Sequence, residues 1–596
     1  MNRLLIIFIS FLSFEINAKS ELLIEKFNSS TDFYTSFNSG SGTVSSSNNT
    51  NDFISGPSCL KINYSFNSGS DYFFTALKNY ATASKDWSLS PQKFTLNYKG
   101  GNSSTKIKLR LWEDTNRDGQ FNGSDEVYSS LAIVSGNTTW TKIEFPVATL
   151  ILLTGNGNKI LDLNRIRAWD IAIENNSQNS QSGSLLFDDL SLETAYSAPA
   201  SGNANLSGSF IQLWNDVGCK CGQFTLQQWK DELQKMKDVC LNTVYIQYGV
   251  YGDLSWYNPS NLSFVTYKNN TLNKIFEAAE SLEMGVYVGI YFDETWNSSS
   301  KSNSSTYSNL LTKQQQTIDE IWNLFGNNSA FKGWYIPQEI NDLEWQNNPE
   351  KSLLFSYLQN VASYARAKNN SKPVMIAPFF NLWQPADVLA TWYNELFIAA
   401  PDIKQVFFQD GVGITLKQTD YHLPLYFPAL KQVCSSNNVE FGVTTESFQQ
   451  LTGWPIDGGS FSATSADINR LKKQLWAAEE NNAQQIIQFD WSYMQTGTTN
   501  SSLYDNYKSY SNCIISEVKN NTITNDDFWP NPSSQTIYFS DNVNSYILYA
   551  FDGKLIESQS NVKNIDVSNL KNGVYYLRIK LYNSEKTTNK VLIIND

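Results

Sequence analysis

Histidine is nearly absent from this chain, with His422 the one example among 596 residues. Ser-His-Asp catalysis, Cys-His catalysis and most catalytic zinc sites need a histidine, so these classes could draw on one position only. We therefore expect any hydrolytic chemistry to depend on carboxylates. Charged residues are also scarce, at 17% of the chain, and the formal net charge of -13 disfavours nucleic acid or another polyanion as a partner.

Cysteine is sparse, and none of the six has the spacing of a zinc ribbon. An oxidising compartment would permit disulfides, but the sequence leaves the pairing open, with free buried thiols as the alternative. Long apolar runs are missing after residue 18, so no transmembrane segment is expected in the mature protein. Residues 1–18 have a positive start at Arg3, an apolar stretch and a small residue at Ala18, which predicts a cleaved signal peptide.

Residues 19–200 consist of short apolar runs separated by Gly, Asn and Ser clusters, which predicts an all-β sandwich. One of its loops has the spacing of oxygen ligands around a sharp glycine turn that a calcium ion requires. We predict a structural Ca²⁺ held by Asp114, Asn116, Asp118, Gln120 and Asp125. A polar hairpin turn without metal is the alternative. The segments KDWSLSPQKFTLNYKG and LLFDDLSLE resemble carbohydrate-binding jelly-roll modules.

Between residues 206 and 520 the pattern changes to eight short apolar runs that alternate with longer amphipathic segments. Eight β-then-α units in about 310 residues predict a (β/α)8 barrel, the TIM barrel. An open doubly wound sheet is the alternative, but it normally carries a Gly-rich phosphate loop, and none is present.

Functional residues of such barrels lie at the C-terminal ends of the strands. Carboxylates, amides and aromatic residues are frequent at these ends here, and such groups bind sugar hydroxyls and stack on sugar rings. The candidate catalytic carboxylates are Glu339, at the end of the fourth strand, and Glu446, at the end of the seventh. The candidate substrate contacts are Trp214, Asn215, Tyr248, Gln338, Asp410, His422, Asp490 and Trp491.

Glutamates at the ends of the fourth and seventh strands resemble the arrangement in the retaining glycoside hydrolases of clan A. The resemblance implies that Glu339 is the general acid/base, that Glu446 is the nucleophile, and that Trp491 forms the base of the substrate site. Many clan members have asparagine where this chain has Gln338. Glycoside hydrolysis needs two carboxylates and no cofactor, so none is expected for catalysis.

The C-terminal segment, residues 528–596, has Pro530-Asn531-Pro532, Phe551-Asp552-Gly553 and a terminal strand in a specific order. It resembles the C-terminal sorting domain of the type IX secretion system of Bacteroidetes, with a small β-sandwich used for binding as the alternative. The resemblance implies export by that machinery, and a protein that is secreted or attached to the outer cell surface.

Three functions fit these features. The first is a retaining glycoside hydrolase that acts on a polysaccharide or glycan. The second is a surface carbohydrate-binding protein whose barrel does not catalyse. The third is a calcium-stabilised adhesion protein that uses the barrel as a spacer. The sequence does not name the sugar, its linkage, or endo versus exo action.

Overall fold

The computed structural model divides into two compact units, residues 1–512 and 513–596. It describes residues 19–37, 42–67, 72–80, 84–103, 105–118, 125–175, 179–214, 222–260, 262–495, 502–511, 513, 528–529, 535–539, 543–550, 554–560, 563–581 and 587–594. The predicted signal peptide lies outside these residues.

The N-terminal part of the first unit is a sandwich of two antiparallel sheets, as predicted. One sheet has six strands, which are Lys19–Glu25, Gly42–Asn49, Cys59–Phe66, Pro91–Gly100, Asn137–Pro146 and Gln181–Ser197. The other sheet has seven strands, which are Tyr34–Phe37, Tyr72–Asn79, Thr105–Glu113, Glu126–Ser129, Ile133–Val134, Ile151–Thr154 and Ile166–Asn175. Apolar residues from alternate positions of both sheets fill the core between them, among them Leu96, Leu109, Trp169 and Phe187.

Eight parallel strands close into a barrel, which confirms the predicted (β/α)8 fold. In chain order, the barrel strands are Gly208–Ile211, Thr243–Ile246, Gly285–Gly289, Phe331–Ile336, Val374–Ile376, Ile403–Gln409, Glu440–Glu446 and Gln485–Phe489. One long helix follows each strand, and these helices are Leu226–Lys237, Thr271–Ser281, Ser304–Phe325, Glu350–Lys368, Ala386–Ala399, His422–Ser436, Ile468–Glu480 and Ser502–Ser511. Thr225 and Gln228 begin the first helix with the predicted capping box.

Smaller elements lie at the C-terminal ends of the barrel strands. A four-stranded sheet consists of Val250–Tyr251, Leu254–Ser255, Thr266–Tyr267 and Tyr291–Phe292. A hairpin of Phe448–Thr452 and Ser462–Ser465 follows the seventh strand directly. Short helical turns are formed by Thr295–Ser298 and Trp491–Tyr493 in the barrel, and by Ser30–Asp32, Val147–Thr149 and Leu163–Arg165 in the sandwich.

The second unit is a small β-structure of two sheets. Three strands form one sheet, which are Phe528–Trp529, Thr536–Phe539 and Asn564–Asp566. Four strands form the other, which are Val543–Ala550, Leu555–Ser560, Gly573–Leu581 and Thr587–Ile594. Ile537, Leu548, Leu577 and Ile579 pack in its core.

The cysteines are in two states. Cys240 and Cys513 are each disulfide-bonded, whereas Cys59 and Cys434 are buried free thiols. The remaining two cysteines, Cys219 and Cys221, lie outside the described residues.

Candidate functional site

An open cavity of about 450 Å³ lies at the C-terminal ends of the barrel strands. Both candidate catalytic glutamates, Glu339 and Glu446, line it. Its remaining described lining is rich in aromatic and amide side chains, namely Trp296, Asn297, Lys301, Ile340, Asn341, Glu344, Phe379, Asn381, Trp383, Gln409, Ile414, Phe448, Trp454, Phe461 and Phe489.

Alternation along the strands decides which side chains reach this cavity. Tyr335 on the fourth strand and Phe407 on the sixth belong to the cluster that fills the barrel interior. Successive residues of a strand point to opposite faces, so Gln409 lies on the same face as Phe407. Glu446 on the seventh strand is in register with Phe489 on the eighth, and both line the cavity.

Glu339 follows the fourth strand and exposes its side chain. Gln409 Nε2 donates to Glu339 Oε1 at 3.0 Å and to the carbonyl oxygen of Ala377 at 2.8 Å. The indole of Trp296 donates to the backbone oxygen of Glu339 at 2.8 Å. Desolvation raises the pKa of Glu339, and the hydrogen bond from Gln409 offsets part of that rise. The carboxyl group is therefore biased toward its protonated form.

Glu446 is the last residue of the seventh strand and is buried. The backbone N–H of Ile414 donates to Glu446 Oε2 at 3.0 Å. Asp410 lies behind the strand, where its carboxylate accepts the backbone N–H of Glu446 at 3.2 Å and the Gln474 amide at 2.7 Å. A Cβ at Gly413 would lie 2.8 Å from Cβ of Glu446, so the loop that supplies the Ile414 N–H needs glycine here.

Charges of both signs act on Glu446. Burial and the Asp410 charge raise its pKa to about 7, while Lys417 and Arg470 oppose the rise. Lys417 is buried with its Nζ 3.7 Å from the ring centroid of Phe380, and burial lowers the pKa of Lys417 to about 8. Arg470 donates to the backbone oxygen of Glu446 at 3.1 Å. The two cations favour the ionised form of the glutamate.

Sequence reasoning missed Asp342 as a residue that shapes the cavity. Its buried carboxylate accepts the backbone N–H groups of Asn381 at 2.6 Å, Trp383 at 2.7 Å and Gln384 at 3.1 Å. These bonds fix the loop after the fifth strand, which carries Trp383 into the cavity lining. The sequence could have pointed to Asp342, because it lies three residues beyond Glu339 on the same loop.

Trp454 and Phe461 were also missed. They lie in the loop that joins the two strands of the hairpin after Glu446, and both line the cavity. Their position downstream of the seventh strand could have pointed to them, because loops at this end of a barrel build the site.

Three predicted substrate contacts are corrected because they face away from the cavity. Gln338 is buried, where Oε1 accepts from Gln314 at 2.6 Å and Nε2 donates to the Tyr291 carbonyl at 3.1 Å. Asp410 is fully buried behind Glu446. Asp490 is buried with its Oδ1 bonded to the Ser492 hydroxyl, and burial raises the pKa of Asp490 to about 6.

The predictions for Trp491 and His422 are also corrected. The eighth strand ends at Phe489, and Trp491 begins a turn that buries its indole completely and directs it to Glu232 Oε1 at 2.6 Å. Phe489 lines the cavity instead. His422 begins the sixth barrel helix among residues of the sandwich-barrel interface, and burial together with Lys417 and Lys85 lowers its pKa to about 3.

Trp214 and Tyr248 lie together at the ends of the first two strands. The Trp214 ring stacks on Tyr251 at 5.3 Å, and Tyr251 stacks on Tyr248 at the same distance. Trp214 is 37% exposed, whereas Tyr248 is almost buried. Burial and the nearby Glu339 charge both raise the pKa of Tyr248. These two stay predicted contacts, and Asn215 lies outside the described residues.

The predicted calcium loop is described at its two ends. Asp114 and Asp125 are both buried; Asp114 Oδ1 accepts the Asp118 N–H at 3.2 Å, and Asp125 Oδ1 accepts the Thr115 N–H at 3.1 Å. Asn116 Nδ2 donates to Asp118 Oδ2 at 2.8 Å. Within the described parts of the chain, no group of three His, Cys, Asp or Glu side chains could hold a metal ion. Gln120 lies outside those parts, and calcium stays a prediction.

Comparison with known protein families identifies two regions of the chain. Residues 206–500 match a domain of unknown function, DUF4434. This match covers the barrel and just under half of the chain. Residues 527–595 match a secretion system C-terminal sorting domain, which confirms the sorting domain predicted from the sequence. The protein is therefore secreted or attached to the outer surface.

Individual proteins are similar to this chain at low identity. The uncharacterized protein YbcH of Escherichia coli (strain K12) is 26% identical over 209 residues, which is 34% of this chain and 66% of YbcH. The match thus spans less than two thirds of that relative. Across the part of this chain that the structure describes, no helix has the length and apolar character to cross a membrane.

Solved structures with related architecture include sugar-active and sugar-binding proteins. A candidate alpha-L-fucosidase from Bacteroides thetaiotaomicron VPI-5482 is 19% identical over 54% of this chain and 97% of its own, with a TM-score of 0.44. A family 11 carbohydrate-binding module from Clostridium thermocellum, solved with a mixed-linked tetrasaccharide, is 19% identical over 30% of this chain and 99% of its own, with a TM-score of 0.24. Likeness at this level does not establish what the barrel does.

Proposed function

We propose that this protein is a secreted glycoside hydrolase that cleaves the O-glycosidic bonds of a polysaccharide or glycan. One observation carries the proposal: two glutamates from the ends of the fourth and seventh barrel strands, Glu339 and Glu446, line one aromatic-rich cavity. Glycosidic cleavage needs a proton donor for the leaving oxygen and a second carboxylate for the anomeric carbon. Aromatic rings around such a pair can stack on the apolar faces of sugars.

The surroundings of the two glutamates favour different roles. Glu446 receives a backbone N–H and lies near the charges of Lys417 and Arg470, all of which favour its anion. Glu339 receives one neutral amide hydrogen bond, and desolvation favours its protonated form. We assign Glu446 as the nucleophile and Glu339 as the general acid/base, since a protonated and an ionised carboxyl are needed together.

The assignment gives a two-step retaining reaction. Glu339 protonates the leaving oxygen while the Glu446 carboxylate attacks the anomeric carbon, which forms a glycosyl ester and releases the first product. Water then attacks the same carbon, its proton passes to Glu339, and Glu446 leaves as a carboxylate. One water is consumed for each bond cleaved. Retaining enzymes hold their carboxyl groups about 5–5.5 Å apart, and inverting enzymes about 6.5–9.5 Å.

Conservative variants of the two glutamates test the proposal. Reducing-end release from a panel of polysaccharides identifies a substrate for the wild type, and Glu339→Gln and Glu446→Gln are then compared on it. We expect each to lose about 10²–10⁴-fold in rate or more. Glu277→Gln is the matched control, because Glu277 is an exposed carboxylate on the second barrel helix and does not line the cavity. An unchanged rate in Glu446→Gln would rule out the assignment.

A surface carbohydrate-binding protein is the second candidate function. The aromatic lining of the cavity favours it, because such a lining would hold a sugar with or without turnover. This candidate predicts glycan binding by the wild type without release of any product. Under this candidate, Glu446→Gln has no turnover to lose and changes only the affinity for the glycan.

A further inference from the structure

The hairpin after Glu446 brings apolar surface to the cavity, and the described residues leave this surface exposed. The side chain of Trp454 is 60% exposed and that of Phe461 is 56% exposed, and both line the cavity. Trp383, on the loop after the fifth strand, is a third aromatic residue of the same lining. Large aromatic side chains left in water at the edge of a cleft are typical of a surface that binds a ligand.

The loop that carries Trp454 is held by its own hydrogen bonds. The Asp457 carboxylate accepts the N–H of Gly453 at 2.7 Å and of Gly459 at 2.9 Å. Gln450, buried on the first hairpin strand, donates to the carbonyl oxygen of Trp454 at 2.8 Å. Gly453 adopts a φ of 99°, a left-handed conformation that suits glycine. The backbone that carries the indole is therefore held by the fold.

The charges of the cavity are unfavourable for an anionic ligand. Glu339, Glu344 and Glu446 are the acidic residues of the described lining, and Lys301 is its cation. Lys301 Nζ lies 3.7 Å from Glu344 Oε1, above the Trp345 ring, and it donates to the Trp296 carbonyl oxygen at 2.5 Å. Lys301, the cation of the described lining, is thus already engaged with Glu344, so a sugar carboxylate or sulfate would find no available cation in that lining and would lie beside the Glu446 carboxylate.

We infer that the cavity binds an uncharged glycan whose pyranose rings stack on Trp454 and Trp383, and that it excludes uronic acid and sulfated polysaccharides. The inference rests on the proposed function and names its substrate class. A pyranose has apolar C–H faces that match an indole ring and hydroxyl groups that match the Asn and Gln side chains of the lining.

Binding by the full mature chain tests this inference without turnover. The Glu446→Gln protein is applied to an array of uncharged and anionic oligosaccharides, and affinities for the hits are measured by calorimetry. We expect the hits to be uncharged, and adding Trp454→Ala to weaken their binding by about tenfold or more. Leu451→Ala, in the same background, is the matched control, because Leu451 is 55% exposed on the same hairpin but does not line the cavity. It should change affinity less than twofold.

Three results would overturn the inference: preferential binding of anionic glycans, no binding of any uncharged glycan, or binding that Trp454→Ala leaves unchanged. The last would place the binding elsewhere, for example on the sandwich. The outcomes also distinguish a failure of this inference from a failure of the proposed function. If uncharged glycans bind in a Trp454-dependent way but the wild type releases no product, the inference stands and the hydrolase proposal falls. If an uncharged glycan is cleaved and Trp454→Ala binds it normally, the reverse holds.

Discussion

Glu446 is balanced between groups that raise its pKa and groups that lower it. Burial and the Asp410 charge raise the pKa, whereas the Ile414 N–H and the cations Lys417 and Arg470 lower it. A nucleophile must be ionised to attack, so the ionisation of this residue should govern how activity falls on the acidic side.

Two variants that remove one charge each should shift the acidic limb in opposite directions. Lys417→Met removes a positive charge that stabilises the Glu446 anion, so the pKa of Glu446 rises and the limb moves to higher pH. Asp410→Asn removes a negative charge, so the pKa falls and the limb moves to lower pH. We expect shifts of about one pH unit each in the profile of kcat/KM.

A loss of folded enzyme that is the same at every pH lowers the whole profile without moving the limb, and circular dichroism across the pH range identifies a variant that unfolds at acid pH. Glu277→Gln, which alters an exposed carboxylate outside the cavity lining, serves as the control and should leave the limb in place. Shifts in the same direction, or shifts confined to the alkaline limb, would contradict the assignment of Glu446 as the ionised nucleophile.

Side-chain direction also explains which sequence candidates reach the cavity. Gln338, Asp410 and Asp490 are each adjacent in the chain to a residue that lines it, namely Glu339, Gln409 and Phe489. The barrel strands are buried on both faces, so their sequences do not alternate between apolar and polar residues. The sequence located the ends of these strands, but it held no pattern that distinguishes the inward residue from its neighbour.

At the scale of elements, the loop between Asp114 and Asp125 is a second site that the sequence predicts, here a metal site. Two buried carboxylates lie at the ends of one short loop in the sandwich. The spacing of oxygen ligands along this loop favours a divalent cation. We propose that this cation is structural Ca²⁺.

Calcium should therefore stabilise the folded protein. A ligand that binds only the native state adds about 2.7 kcal/mol at one hundred times its Kd, so Ca²⁺ should raise Tm and EDTA should lower it. Asp125→Asn should remove the dependence of Tm on Ca²⁺. Asp32→Asn, which alters a half-exposed carboxylate of the same sandwich, should keep it. Scanning calorimetry measures these Tm values. A wild-type Tm that is the same in Ca²⁺ and in EDTA would contradict the structural Ca²⁺ site.

The hairpin that carries Trp454 could not be predicted from the sequence. Residues 453–461 are rich in Gly, Ser and Pro and lack strand or helix periodicity, so only a loop could be expected. Its aromatic residues reach the cavity because the seventh strand continues directly into the hairpin, which is a tertiary feature.

At the scale of the molecule, the sandwich and the barrel share one compact unit. Tyr421, from the loop before the sixth barrel helix, is fully buried in the sandwich core. The Gln418 side chain bonds both the backbone N–H and the carbonyl of Leu23. Asp86 of the sandwich accepts the backbone N–H of Ala386 at 3.1 Å, where the fifth barrel helix begins without a side-chain cap of its own. The two domains should therefore unfold together.

Removal of this shared cap should destabilise both domains at once. Asp86→Ala leaves a helix N–H without its acceptor, and loss of such a cap costs about 0.5–2 kcal/mol. Asp387→Asn is the control, because the Arg117–Asp387 ion pair at the same interface is half exposed and contributes about 0–1 kcal/mol. Calorimetry should give one transition for sandwich and barrel that Asp86→Ala lowers as a whole. Separate transitions, with one of them unmoved, would show that the domains are independent.

The sequence predicted the sandwich and the eight barrel units because each has a pattern that its own residues set, and it predicted the C-terminal domain through the motifs that resemble a sorting domain. It could not predict how the sandwich packs on the barrel. That interface depends on single residues such as Asp86, Tyr421 and Gln418, which lie far apart in the chain and belong to no repeating pattern.

Covalent trapping tests directly whether Glu446 is the nucleophile of a retaining reaction. The wild type is incubated with a 2-deoxy-2-fluoro glycoside of its best substrate sugar, a class of reagent that slows hydrolysis of the glycosyl ester, and peptides are analysed by mass spectrometry. A retaining reaction with Glu446 as nucleophile gives one glycosyl adduct, on the peptide that contains Glu446, and none in Glu446→Gln. An adduct on another residue, or turnover that yields a product of inverted anomeric configuration without any adduct, would contradict it.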